Sequence, residues 1–256
     1  MSKNDSVQTG VLALSIVIPA YNEEQRIGLT LDQTIEYFAK KQISYEIIVV
    51  DDGSKDKTKI VVDTYCKKLP LVKLLALEKN SGKGAAVSAG VVAAQGNVII
   101  YMDADGATPI EEIERLFREI EAGAHIAIGS RALFSSETAI KTIWTRKLIG
   151  RIFNLIVNIF VLPAVADTQC GFKMFRKIVA HEIFPRLKSS RFAFDVEILY
   201  LARKMGCIIA EVPINWNNVP GSKVNIISDS TDMLFDILTI PFRKYGKLPQ
   251  ISNLEN

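Results

Sequence analysis

The residues best suited to chemistry in this chain are Asp103 and Asp105, which follow the apolar run 98–102 and precede Gly106. A buried strand that ends in two carboxylates brings several oxygen atoms to one edge of a sheet. Such ligands suit Mg²⁺ or Mn²⁺ carrying a substrate diphosphate, as in a nucleotide-sugar site. An isolated Asp-x-Asp is more often a polar turn, so the surrounding elements decide the interpretation.

Apolar, β-branched segments alternate with helical patterns along the first half of the chain. They predict strands at Leu14–Pro19, Glu46–Val50, Val72–Leu77, Val98–Met102 and Ile126–Ile128. Strands that alternate with helices form a mostly parallel α/β sheet with helices on its faces. Ligands of such folds bind beyond the carboxyl ends of the strands, which is where the acidic pair lies.

Polar, turn-forming segments follow four successive predicted strands, at 19–24, 51–54, 80–84 and 103–106. Each segment taken alone is also explained as a helix cap or a flexible connector. Structural turns do not require acidic residues at two neighbouring strand ends. The convergence of the four segments at one edge therefore favours a ligand site.

The composition fits one compact α/β domain with an appended helical region, since 48% of the 256 residues are hydrophobic and 23% are charged. A net charge of +3 is too small to indicate a nucleic-acid partner. The three cysteines and two histidines lack metal-ligand spacing, so neither a disulfide framework nor a zinc site is predicted.

The predicted organisation is a polar tail at 1–10, the α/β domain at 11–225, and a carboxyl-terminal amphipathic helix and tail at 226–256. The first residues lack the apolar core of a signal peptide, and no run reaches the roughly 18 apolar residues of a spanning helix. We therefore expect a cytoplasmic protein.

Five motifs within residues 13–225 together resemble family 2 of the inverting glycosyltransferases, which have a GT-A (Rossmann-like) fold. They are DADGAT at 103–108, GSR at 129–131, DTQCGFK at 167–173, RFAFDVE at 191–197 and PGSK at 220–223. More narrowly, they resemble the branch that transfers sugars to polyprenyl phosphates, and within it the enzymes that glucosylate dolichyl phosphate. The stretch Gly106-Ala107-Thr108-Pro109 favours this group over the mannosyl enzymes, which usually carry a His-Pro sequence there.

The resemblance implies transfer of glucose from UDP-glucose to a polyprenyl (dolichyl-type) phosphate, with Mg²⁺ or Mn²⁺ and a β-linked product. Three alternative functions stay open: a transferase that uses GDP-mannose as donor, a transferase with a saccharide acceptor, and a nucleotide-sugar-binding module without catalysis. A sugar nucleotidyltransferase is disfavoured, because the first strand lacks the glycine-rich loop expected after it.

The resemblance also assigns the residues of the donor site. Asp105 is the expected metal ligand, and Asp103 contacts the metal or the ribose. Either Asp51 or Asp52 accepts a hydrogen bond from the base. The remaining contacts with the nucleotide are expected from Pro19, Tyr21, Glu23, Lys83, Ala104 and Gln169.

The acceptor explains why the sequence shows no catalytic histidine or serine array. A phosphate monoester has a second pKa near ~6, so it is largely dianionic at neutral pH and already nucleophilic. It requires cations that position it, for which Arg131 and Lys223 are the leading candidates and Arg146 and Arg151 weaker ones. A surface ion pair is the alternative for Arg131.

Asp195 and Glu197 stand at an extended entry or a helix start. Their charges suit a helix amino terminus, while the resemblance makes Asp195 a contact of the sugar or the active site.

Two basic and apolar segments, 146–162 and Met233–Tyr245, predict association with a membrane surface on its cytoplasmic face, with packing in the core as the alternative.

Overall fold

The computed structural model of the protein describes residues 12–133, 135–141, 155–217, 219 and 228–254. Lys223, Arg146 and Arg151, proposed above as contacts of the acceptor, lie outside the described residues. So does most of the first segment expected at a membrane surface.

Within the described residues, seven strands form one sheet in the order β3-β2-β1-β4-β7-β5-β8. Their bounds are β1 Leu14–Ala20, β2 Tyr45–Asp51, β3 Val72–Ala76, β4 Val98–Met102, β5 Ile126–Ser130, β7 Phe172–Arg176 and β8 Ile209–Pro213. Strand β7 runs antiparallel to both neighbours, and the other pairs are parallel. Short strands β6 (Ile140–Lys141) and β9 (Trp216–Asn217) pair separately.

The helices cover the faces of this sheet. They are α1 Ile27–Ala39, α2 Thr58–Lys68, α3 Lys83–Ala93, α4 Ile113–Glu121, α5 Lys177–Ile183, α6 Phe194–Lys204 and α7 Ser228–Thr239. Residues 155–160 are also helical. In the part of the chain that is described, no helix combines the length and the apolar character needed to cross a bilayer.

The core lies in two layers, one on each face of the sheet, because successive side chains of a strand point to opposite faces. Ile16 and Ile18 of β1 pack into one layer, and Val17 packs into the other. Helix α3 approaches the sheet closely at Gly90, where an added Cβ would lie 2.4 Å from a methyl group of Val17. This packing holds the start of α3 over the carboxyl ends of β1 and β2.

The five predicted strands are confirmed: Val98–Met102 has the predicted bounds, and the ends of the other four differ by at most two residues. The sequence patterns did not predict β7 and β8. Strand β7 brings Gly171 and Lys173 to the edge where β4 delivers its acidic pair.

Candidate active site

A cavity of about 390 Å³ opens at the carboxyl ends of β1, β2 and β4. Its walls come from the polar segments that follow those strands, from the start of α3 and from the turn before α6. The lining residues are Pro19, Ala20, Tyr21, Glu23, Arg26, Asp52, Asn80, Gly82, Lys83, Ala86, Asp103, Ala104, Asp105, Arg191 and Phe192. The four polar segments predicted to meet at one edge of the sheet therefore line a single cavity.

Asp103 lies on the cavity wall between Lys83 and β7. The Lys83 ammonium is 2.6 Å from Oδ1 of Asp103, and burial, which lowers the pKa of Lys83, is outweighed by the charges of Asp103 and Asp195, which raise it. On the other side, a Cβ at Gly171 would lie only 2.2 Å from Oδ2 of Asp103. The absence of a side chain at Gly171 thus makes room for this carboxylate.

Asp105 is the carboxylate of the pair whose charge is least compensated. Its Oδ1 accepts the backbone N–H of Ala107 at 3.0 Å, and it has no ion-pair partner among the described residues. Burial, followed by the charge of Asp103, raises the pKa of Asp105. A carboxylate in this state is stabilised by a cation that approaches from the cavity.

A divalent metal fits this pair only if other ligands complete its coordination. The described residues contain no cluster of three or more His, Cys, Asp or Glu arranged to hold a metal. Mg²⁺ is commonly bound by one or two carboxylates together with substrate phosphates and water. Asp103 and Asp105 match that donor set, with the diphosphate of a substrate as the missing part.

Asp51 and Asp52 differ in how their carboxylates are used. Both oxygens of Asp52 accept backbone N–H groups, from Ser81 at 2.7 Å and from Gly82 at 2.9 Å. Burial, only partly offset by these bonds, raises the pKa of Asp52. Oδ1 of Asp51 is buried and has no hydrogen-bond partner in the described structure. Asp52 therefore holds the turn before α3, whereas Asp51 retains an unused acceptor.

Pro19, Tyr21 and Glu23 line the cavity at the end of β1, as the resemblance implied. Glu23 pairs with Arg26 at 2.6 Å, and the pKa of Arg26 is raised by this hydrogen bond and, less strongly, by Asp105 and Asp103. Arg26 adds positive charge that the sequence motifs did not indicate. The spacing of three residues between Glu23 and Arg26 is the sequence feature that could have indicated this ion pair.

Arg131 is absent from the cavity lining and is instead held in a bidentate pair with Asp167, with N–O distances of 2.7 and 3.0 Å. Burial lowers the pKa of Arg131, but the charge of Asp167 outweighs it and the net shift is upward. The backbone N–H of Asp167 in turn donates to Glu211 at 2.7 Å. The guanidinium also lies 5.6 Å from the ring of Trp216.

Asp195 lies in the first turn of α6, beneath the cavity rather than on its wall. It is 2% exposed and accepts hydrogen bonds from the hydroxyl of Tyr101 and the ammonium of Lys173. Lys173 is fully buried and also donates to the carbonyl of Cys170 at 2.6 Å. Tyr101 and Lys173 both donate to Oδ1 of Asp195.

Glu197 and Gln169 also lie away from the cavity lining. Glu197 is fully buried and accepts a hydrogen bond from Tyr245 at 2.7 Å. Nε2 of Gln169 is buried and has no partner among the described residues, so it retains a donor for a ligand or for water.

The sequence model of glycosyl transferase family 2 matches residues 15–184, which include the strands and most of the cavity. The chain belongs to this family. Dolichyl-phosphate β-glucosyltransferase of Dictyostelium discoideum is 41% identical over 242 residues, covering 90% of this chain and 74% of that protein. The human protein of the same name is 38% identical, with coverages of 90% and 75%.

The family 2 chain also shares its fold with a solved structure of glucosyl-3-phosphoglycerate synthase from Mycobacterium tuberculosis. That structure contains Mn²⁺, UDP-glucose and phosphoglyceric acid. The TM-score is 0.66 at 17% identity, and the match covers 90% of this chain and 78% of the synthase. The GT-A fold expected from the sequence is thereby confirmed.

Proposed function

We propose that this family 2 glycosyltransferase moves glucose from UDP-glucose to a polyprenyl phosphate of the dolichyl type, forming a β-linked lipid phosphate sugar. The observation that carries this proposal is the cavity that joins Asp103 and Asp105, the latter without an ion-pair partner among the described residues, to the polar ends of β1 and β2. The names of the curated relatives support the acceptor and the sugar. The UDP-glucose in the related fold supports the donor.

In the proposed complex, the nucleotide lies along the ends of β1 and β2. Pro19 and Tyr21 supply apolar and aromatic surface for the base, and Glu23 an acceptor for the ribose. The contact with the base is proposed for Asp51 or Asp52: Asp52 lines the cavity but also holds the turn at 81–82, whereas Asp51 has a buried Oδ1 without a partner but does not line the cavity. Ala104 allows the nucleotide to approach β4 closely, and Gln169 retains an amide donor.

Asp105 and Asp103 would hold Mg²⁺ or Mn²⁺ on the diphosphate. When bound, the metal supplies positive charge that stabilises the departing UDP. Lys83 adds a second positive charge beside Asp103. These groups act on the leaving side of the reaction, where negative charge grows as the bond to the sugar breaks.

The acceptor phosphate attacks the sugar from the side opposite UDP, so an α-linked donor gives a β-linked product. No protein base is needed, because the dianionic phosphate is itself the nucleophile. Arg131 and Lys223 are the proposed cations for this phosphate. Asp167 fixes the orientation of the Arg131 guanidinium through two hydrogen bonds, which reduces the entropy lost on binding.

The experiment is transfer of radiolabelled sugar into an organic-extractable product, with UDP-glucose and GDP-mannose compared in the presence of Mg²⁺ or Mn²⁺ and of chelator. Metal-dependent transfer from UDP-glucose is the expected result. Transfer from GDP-mannose alone would overturn the donor assignment. Tight UDP binding without lipid product would instead favour a saccharide acceptor or a binding module.

We further propose that the protein docks on the cytoplasmic face of a membrane through exposed apolar residues. Phe235 and Phe242 are 74% and 86% exposed, and Lys244 and Lys247 lie exposed beside them. Residues Leu155, Ile159 and Phe160 form a second exposed apolar stretch. Aromatic and basic side chains in this combination suit the interface of an anionic bilayer.

Flotation with vesicles that contain phosphatidylserine tests this docking. The wild-type protein is expected to float, and the double variant Phe235→Ser/Phe242→Ser to remain at the bottom. Ile60→Ser is the matched control, because Ile60 is 63% exposed on α2. Equal flotation of the control and the double variant would contradict the proposed surface.

A further inference from the structure

The cavity contains one cation that the described residues leave without a counter-ion. Its wall carries the carboxylates of Glu23, Asp52, Asp103 and Asp105 and the cations Arg26, Lys83 and Arg191. Glu23 pairs with Arg26, and Asp103 with Lys83. Backbone N–H groups satisfy Asp52. Within the described chain, Arg191 forms no ion pair; it lines the cavity and is exposed to solvent.

The turn that presents Arg191 is fixed on the side away from the cavity. The N–H of Ser189 donates to the buried carboxylate of Glu197 at 2.8 Å. Arg243 donates to Oγ of Ser189 at 2.6 Å and to Glu197 at 3.1 Å, so that the carboxyl-terminal segment holds the same turn. A buried, charge-assisted network of this kind limits the movement of the backbone that carries Arg191.

The turn is also fixed on the side that faces α3, by the glycines of the segment 80–84. The carbonyl of Ser190 accepts the N–H of Ala85 at 3.0 Å. A Cβ at Gly82 would lie 2.5 Å from that carbonyl oxygen, and one at Gly84 would lie 2.8 Å from the carbonyl oxygen of Arg191. The glycines therefore serve close packing against this turn, and the flexible-connector reading of the segment is wrong.

We propose that Arg191 binds phosphoryl oxygens of a substrate in this cavity, an inference that rests on the function proposed above. Its planar guanidinium donates two parallel hydrogen bonds to a phosphate, and the fixed turn reduces the entropy lost when it does so. Arg191 lines the same cavity as the acidic pair and forms no ion pair within the described residues, so its charge is available to a phosphoryl group. The phosphoryl group belongs either to the donor diphosphate or to the acceptor phosphate.

The test compares Arg191→Met and Arg191→Lys with the wild-type protein. Arg203→Met is the matched control, because Arg203 is exposed on α6 and does not line the cavity. Calorimetric titration with UDP and with uridine, both in the presence of Mg²⁺, reports on the donor site. The KM for a short-chain polyprenyl phosphate reports on the acceptor site.

Arg191→Met is expected to weaken one phosphate ligand by about ten- to a hundredfold, the usual cost of losing hydrogen bonds to a charged group. Weaker binding of UDP with unchanged binding of uridine assigns Arg191 to the donor. A raised acceptor KM with unchanged UDP binding assigns it to the acceptor. Arg191→Lys should recover part of the loss, because lysine keeps the charge without the bidentate geometry.

Binding of UDP and an acceptor KM within twofold of the control, about the error of such comparisons, would overturn the role of Arg191. Failure of the proposed function looks different, since the wild-type protein would then transfer no glucose. In that case the titrations with UDP and uridine still decide whether Arg191 recognises a phosphoryl group.

Discussion

Adding one methyl group at Gly171 should displace the acidic carboxylate of Asp103 without changing any functional group. Gly171 directly precedes β7, and its carbonyl accepts the N–H of Asp103 at 3.2 Å, so the two backbones lie side by side. It is not among the glycines with positive φ, so alanine is tolerated by the backbone. The effect of Gly171→Ala is therefore confined to the space that the new Cβ occupies.

The size of the displacement follows from the contacts. The Cβ would lie 2.2 Å from Oδ2 of Asp103, whereas ordinary contact begins at 3.4 Å, so the carboxylate must move by the difference of about 1.2 Å. A misplacement of about 1 Å at a reacting centre can cost about a hundredfold in rate, or roughly 2.7 kcal/mol of transition-state stabilisation. Because the carboxylate is the mobile end of a partly exposed side chain, stability should change little.

Steady-state kcat/KM for glucose transfer, together with the thermal midpoint, tests this reasoning. Gly28→Ala is the control, because a Cβ there meets Tyr65 at an ordinary 3.5 Å and the residue lies within α1. The control should be fully active and slightly more stable, as alanine favours a helix over glycine by about 1 kcal/mol. A Gly171→Ala enzyme with kcat/KM within about threefold of wild type, less than 1 kcal/mol, would refute the placement of Asp103.

Four further outcomes follow from the buried charges. Asp105→Asn should abolish the stabilisation that Mg²⁺ gives in a thermal-shift assay and lower transfer by about a hundredfold or more. The same change should raise the metal-free midpoint at pH 7, since burial and Asp103 raise the pKa of Asp105 and so make its charged form unfavourable; this gain should vanish in acid. Protons compete with Mg²⁺ for Asp105, whose pKa is raised. Mg²⁺ affinity measured by calorimetry should therefore begin to decrease, as the pH is lowered, at a pH above the ordinary aspartate pKa of about 3.9. Lys173→Met should cost about 3 to 5 kcal/mol in urea unfolding by leaving Asp195 buried without its cation, and Lys173→Met/Asp195→Leu should cost much less.

The sheet and much of the cavity were predictable because their signals are local in the sequence. Each of the five predicted strands is a short apolar run, and the segment after each of the first four carries polar groups to the same edge. Because these strands pair in parallel, the pattern alone predicts that Tyr21, Lys83 and the acidic pair lie close together. Of the two alternatives for Asp195 and Glu197, an extended entry or a helix start, the structure has the helix start.

The remaining parts of the site depend on contacts between distant residues, which a single sequence does not reveal. Strand β7 is an interrupted apolar run because Lys173 is its second residue, and the buried Asp195 explains that lysine. Asp51 and Asp52 are adjacent and chemically identical, so the sequence does not reveal that the turn at 81–82 engages the carboxylate of Asp52. Arg191 stood in a recognised motif, but its exposure to the cavity depends on the packing of its turn against α3.

During synthesis, β4 and β5 leave the ribosome before β7, the strand that lies between them in the finished sheet. Until residues 131–176 have followed, both strands present unpaired backbone groups along an open edge. Open edges pair readily with other chains, so a nascent or truncated protein that ends near residue 130 is prone to aggregate. A chaperone that binds during translation is therefore expected to protect this open edge until β7 has been made. If the gene is divided into two separately expressed halves, β7 should stay on the same half as the amino-terminal strands.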